Sequence, residues 1–190
     1  MMFAGHFAVG LALKARYRSV PTWALLFAAQ LCDWLWLLLS ALEVEHFRLF
    51  FTRNDALQLD LFDVPYSHSL FWPAFYALVV FLLFVRADGR RHWAVPLSLA
   101  VFSHWVLDWL VSAPALPFAN FGPPVKLGLG LAGIFPAASL TVEAVIVLAC
   151  WRYYDRRTRN SAALRTWRQW AVLAALLVAL LSPPLLQRLF

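Results

Sequence analysis

Residues 20–42 form an unbroken apolar run of 23 in which Asp33 is the sole charge. A helix of that length spans about 34 Å, enough to cross a hydrocarbon layer of about 30 Å. Similar runs follow at 68–85, 93–112, 134–151 and 170–186, each with at most two or three ionisable residues. Residues 3–13 are apolar too, but 11 residues reach only about 16 Å as a helix, which predicts a half-span, a re-entrant segment or a sixth helix. The expectation is therefore an all-α, polytopic membrane helix bundle with five full crossings plus that short N-terminal piece, one transmembrane domain over residues 1–190. Composition agrees: 63% of residues are hydrophobic, 14% are charged, and the mean hydropathy is +0.69.

The connections carry the orientation. Twelve of the 16 Lys and Arg fall in residues 14–18, 86–91 and 152–168, and the positive-inside rule places those three connections in the cytoplasm. The pI near 9.9 is explained by this bias, so nucleic acid is not expected as a partner; the lipid bilayer is. Residues 43–67 are polar and acidic and read as a loop, with a short interfacial helix as the alternative. Residues 113–133 hold four prolines and four glycines, too many breakers for a continuous helix. Both face outward. Residues 1–13 lack the basic start of a cleavable signal, and Cys32 and Cys150, each in an apolar run, read as buried thiols.

Within these spans the lone ionisable residues agree in depth. His104 and Asp108 are one helical turn apart on a single face. Both lie at mid-depth or in the outer half of their span, as does Asp33; His68 begins an inward-running span at its outer end, Glu143 is near the middle of its own, and His6 lies toward the outer side if residues 3–13 enter from there. Ionisable groups at membrane depth are costly and mark functional sites by default. Three imidazoles with two or three carboxylates form a donor set for a first-row divalent ion, one or two of them, with Zn ahead of Mn or Fe. Blander readings exist for each residue. His6 and His68 can serve at helix starts, Asp33 can bond a neighbouring helix, and Glu143 can make a structural contact with Ser139 or Thr141. His46, His92 and the acidic residues 55–63 read as solvated.

Gly5-His6, Asp33, Tyr66-Ser67-His68-Ser69-Leu70 and Ser103-His104 through Leu107-Asp108 together resemble the pattern of the YdjM-type, LexA-regulated family of inner-membrane proteins, described as metal-dependent hydrolases. The resemblance covers about residues 3–143. It implies a bacterial inner membrane and metal positions at His6, Asp33, His68, His104 and Asp108. The chain departs from the family where Leu31-Cys32-Asp33 replaces an Asp-Xaa-Asp, and where Ser112-Ala113-Pro114-Ala115-Leu116-Pro117 and Ala132-Gly133 replace polar motifs.

The function expected from these residues is metal-dependent hydrolysis of a lipid or lipid-linked phosphoester at the outer half of the bilayer. A divalent ion on His68, His104, Asp108 and either His6 or Asp33 would acidify water and polarise the bond under attack. Asp33 or Glu143 would be the catalytic base. Lys126, in a glycine-rich loop, could hold an anionic group. Two alternatives use the same residues: an inactive membrane scaffold with a vestigial polar cluster, and an ion- or proton-relay transporter. The second would need polar groups in both membrane halves, and the inner half has almost none.

Overall fold

The computed structural model describes residues 2–51, 57–131, 138–158 and 174–176, with the side chains of residues 49–51 and 57–61 left aside. It is mostly helical. Helix α1 (Phe3–Arg16) packs on α2 (Thr22–Ala29) and on α6 (Ala138–Thr158), while α4 (Phe71–Val85) and α2 both pack on α5 (Ala94–Val111), which also meets α3 (Leu31–Ala41). Helix α5 thus stands at the centre.

Small residues let the helices approach. Ala24, Ala28, Ala29, Ala77 and Ala100 form the buried seam between α2, α4 and α5, and Ala4 and Ala8 sit buried beside Val147 between α1 and α6. Gly10 serves the α1–α2 contact, since a Cβ there would stand 3.3 Å from the Leu25 carbonyl oxygen and 3.0 Å from the Leu26 side chain. The outer surfaces are the reverse: Trp23, Leu38, Leu42, Leu78, Leu83 and Val145 are each more than half exposed.

Among the described residues, one helix is long and apolar enough to cross a membrane: α5 together with the 3-10 turn that precedes it, residues Arg91–Val111. The expected crossing at 20–42 is two helices, α2 and α3, bent by 54° at Gln30, and this pair passes the same test when taken together. Helix α4 is apolar but only 15 residues long. The expected crossing at 170–186 lies outside the described residues except for 174–176.

The connection at 43–67 differs from the loop or interfacial helix expected there. Strands β1 (His46–Phe51) and β2 (Leu57–Asp63) pair antiparallel, His46 opposite Asp63 and Phe51 opposite Leu57, with an irregularity between His46 and Arg48. The alternation Leu57-Gln58-Leu59-Asp60-Leu61 has the period of two that a strand requires, and the acidic residues mask it in a reading by charge. The chain enters this hairpin through Glu43, which takes a left-handed φ of 57° just past the end of α3.

The Pro/Gly connection forms a second small pairing, β3 (Leu116–Pro117) with β4 (Lys126–Leu127). It is strapped to the bundle by backbone bonds. Leu129 N–H donates to the Trp109 carbonyl at 2.9 Å and Gly130 N–H to the Ser112 carbonyl at 2.7 Å, while Leu70 and Phe71 donate to the Pro117 and Phe118 carbonyls. The strap therefore joins the end of α5 to the start of α4.

At the opposite end, the Arg18 guanidinium donates to the Arg157 carbonyl, bringing the α1–α2 connection against the end of α6. Two of the three basic segments meet there. Arg86, closing α4, is the length of that helix away from its start at Phe71.

Candidate metal centre

The centre is built where four chain segments bring five side chains together at the strapped end. His6 comes from the first turn of α1, Asp33 from the first turn of α3, His68 from the residues leading into α4, and His104 and Asp108 from successive turns of α5. The bend at Gln30 has two effects. It starts α3 beside α5, so Asp33 sits at a helix N-terminus, where a carboxylate is favoured. It also turns the Ala29 carbonyl out of the helical ladder, and that carbonyl accepts from His104 Nδ1 at 2.9 Å.

Because a carbonyl can only accept, His104 Nδ1 carries the proton and Nε2 presents a lone pair to the centre. His68 is tied in the same way. Ser67 Oγ lies 2.6 Å from Glu45 Oε2 and 2.7 Å from His68 Nδ1. The hydroxyl donates to the carboxylate, so its oxygen accepts from His68 Nδ1–H and leaves His68 Nε2 as a second inward lone pair.

Four donor atoms then face each other. His68 Nε2 is 3.4 Å from Asp33 Oδ1 and 3.6 Å from Asp108 Oδ2; His104 Nε2 is 3.4 Å from Asp33 Oδ1 and 3.6 Å from Asp108 Oδ2. These separations exceed the usual N–H···O limit of about 3.2 Å. Donors placed about 2.0–2.2 Å from a four-coordinate ion stand about 3.3–3.6 Å apart, which matches the four imidazole–carboxylate separations. Adjacent donors around a larger, all-oxygen ion can be similarly spaced, but two imidazoles suit a first-row transition ion better than Ca²⁺ or Mg²⁺.

Burial makes the set chemically demanding. His6, His68, His104 and Asp108 are at most 1% exposed and Asp33 is 7% exposed. His6 Nδ1 and Nε2, both Asp33 oxygens, His68 Nε2, His104 Nε2 and Asp108 Oδ2 have no hydrogen-bond partner among the described residues. Seven such lone-pair or N–H positions in one buried cluster are costly, and a cation between them would satisfy most of them at once. The buried His/Asp groups His6, His104, Asp108 and Asp33, His68, His104, each with ligand atoms within 4.8 Å of one another, could hold a metal ion.

His6 stacks on His104 with ring centroids 3.7 Å apart, and its Nε2 is 3.7 Å from Asp108 Oδ1, the carboxylate oxygen turned away from the other two imidazoles. That same oxygen accepts from Met2 N–H at 3.3 Å.

Glu143, expected at the site as a possible base, is placed differently from the other five. It is buried on α6, and its Oε1 accepts the Gly5 N–H at 3.0 Å, satisfying one of the open amides at the start of α1. It belongs to neither donor group. His46 makes an exposed pair with Asp63 at 2.9 Å, and Lys126 is exposed on β4.

Reading the sequence alone missed Glu45 and the use of Ser67. Glu45 is 1% exposed and accepts from Tyr66 N–H, Ser67 N–H and Ser67 Oγ, although it sits in a stretch of acids that reads as solvated. No local signal separates it from Glu43, because its partners lie more than 20 residues further on.

No protein-family model, curated protein or solved structure matches the chain.

Proposed function

We propose that this protein is a membrane-embedded, metal-dependent hydrolase of the YdjM-type kind, acting on a lipid or lipid-linked phosphoester at the outer half of a bacterial inner membrane. The observation that carries the reading is the four imidazole–carboxylate separations of 3.4–3.6 Å that His68 and His104 make with Asp33 and Asp108, with both imidazoles tied at Nδ1. His68, His104 and Asp108 form a two-imidazole, one-carboxylate set that leaves room at an ion for a reacting group. A divalent ion held there supplies Lewis acidity toward water and the substrate oxygen. In this reading Asp33, the most exposed of the four and with Oδ2 unpartnered, serves as the base rather than as a fourth ligand.

Membrane embedding is supported by the exposed apolar side chains on α2 through α6 and by the separation of the basic connections from the metal-site end. The lipid substrate class follows from that depth. Zn²⁺ fits the donor set ahead of Mn²⁺ or Fe²⁺.

The near-complete burial of all four donors favours a second reading, an inactive scaffold in which an ion only pins α3, α5 and the segment before α4 together. One experiment comes first. Protein purified in detergent is analysed for Zn, Mn, Fe and Ni per chain beside the double variant His104→Ala, Asp108→Ala. A stoichiometric ion lost in a still-helical variant supports the site, and the loaded protein is then assayed on phospholipid and polyprenyl phosphoesters. Absence of metal after reconstitution with Zn²⁺ and Mn²⁺ overturns the hydrolase reading; a bound ion with no turnover of any such lipid favours the scaffold.

A further inference from the structure

We infer that Glu45 is a positioning residue for the metal centre, acting through Ser67 to hold His68 in the tautomer that turns a lone pair toward the ion. The inference deepens the metal-site reading and rests on it for its functional meaning. Glu45 uses its two oxygens differently. Oε1 takes the Tyr66 and Ser67 backbone N–H groups at 2.7 and 2.9 Å, and Oε2 takes the Ser67 hydroxyl at 2.6 Å. With its proton committed to Glu45, Ser67 Oγ can only accept from the imidazole, 2.7 Å away at Nδ1. The chain of bonds is directional, and its direction is set by the carboxylate being an acceptor at both oxygens.

Reversing that direction is possible with one isosteric change. In Glu45→Gln, the two backbone N–H groups require the amide oxygen at the Oε1 position, which puts the amide NH₂ against Ser67. The NH₂ donates to Ser67 Oγ, the hydroxyl turns to donate to His68 Nδ1, and the imidazole proton moves to Nε2, where it faces the ion. Ser67→Ala instead cuts the link and leaves His68 free to choose. The order of effects is therefore inverted relative to size: the near-isosteric Glu45→Gln harms the centre more than Ser67→Ala, and adding Ser67→Ala to Glu45→Gln restores metal binding toward the Ser67→Ala level.

The test reads the tautomer and the metal separately. Long-range proton–nitrogen correlation spectra of ¹⁵N-histidine-labelled, metal-free protein in detergent, with His68 assigned by His68→Gln, report which ring nitrogen holds the proton. The expected result is Nδ1–H in wild type and Nε2–H in Glu45→Gln. Zn²⁺ titration then shows affinity falling about 10–100-fold in Glu45→Gln, less in Ser67→Ala, with partial recovery in the double variant. The same tautomer in wild type and Glu45→Gln, or a double variant no better than Glu45→Gln alone, overturns the inference and leaves Glu45 as a loop anchor. Should Glu45→Gln not fold, Ser67→Ala carries the test: a mixture of His68 tautomers supports the inference, an unchanged Nδ1–H overturns it. Wild type with Nδ1–H that takes up no Zn²⁺ supports the tautomer assignment and overturns the metal reading, so the two fail separately.

Discussion

His6 lies flat on His104, ring planes 12° from parallel, and turns Nε2 toward the one oxygen of Asp108 that His68 and His104 do not face. His104 has a single free nitrogen, because Nδ1 is bonded to the Ala29 carbonyl. The two donor groups that share His104 therefore compete for the same lone pair. A second ion would be left with His6 and Asp108 Oδ1 alone. The expected stoichiometry is one ion per chain. His6→Ala should keep that stoichiometry and weaken binding by less than about tenfold, or about 1.4 kcal/mol, whereas His104→Ala should abolish it. Elemental analysis and competition titration check this, and two equivalents falling to one in His6→Ala would instead assign His6 to a second ion.

Removing the ion should destabilise the fold. Without it the protein buries unpartnered nitrogens and oxygens from α1, α3, α5 and the His68 segment in one cluster. Binding to the folded state alone adds about 2.7 kcal/mol at 100 times the dissociation constant. Chelation should therefore lower the melting temperature of wild type and leave that of the double variant His104→Ala, Asp108→Ala unchanged. Equal melting curves with and without chelator in wild type would argue that no ion bridges these helices.

The pair His104 and Asp108 was legible because a four-residue spacing on a helix is a local rule, and Asp33 and His68 stood out because few charges share their apolar runs. What decided the rest was tertiary. The bend at Gln30 is invisible in a run of apolar residues, yet it frees the carbonyl that orients His104. Glu45 has the composition of a solvated loop and is buried only because the hairpin folds it onto Tyr66 and Ser67. Glu143 matched the other carboxylates in depth, but depth alone cannot say which helix end it serves.

Glu143 should behave as a cap for α1. Its carboxylate accepts the Gly5 N–H at 3.0 Å from across the α1–α6 contact. Glu143→Ala should cost about 1–2 kcal/mol, typical of a lost cap or charged hydrogen bond, and Glu143→Gln less. Both variants should retain their ion. Loss of metal in a folded Glu143→Gln protein would return this residue to the metal centre.

The strap at the end of α5 depends on Gly128. Its φ is 152°, and a Cβ there would collide with the Ala113 and Ser112 carbonyl oxygens, two residues of the turn that follows Asp108. Gly128→Ala should cost about 1–3 kcal/mol and speed hydrogen exchange at Leu129 and Gly130, whose amides bond to Trp109 and Ser112. Exchange at wild-type rates would show that the strap holds without the glycine.

The proposed membrane embedding would give the surface a sign that water would reverse. Leu78 is 53% exposed near the middle of α4, far from the basic connection at Arg86. In water, Leu78→Arg would be close to neutral, since it replaces an exposed apolar group with a charge. In a bilayer an arginine near a helix centre costs about 2.5–3.5 kcal/mol on insertion scales. The expected outcome is reduced membrane insertion and yield for Leu78→Arg, read by flotation and by extraction at high pH, with Leu78→Phe unaffected. A Leu78→Arg protein that is recovered at wild-type yield and leaves the membrane fraction without detergent would overturn the placement of α4 in lipid, and with it the outer-bilayer position of the metal centre.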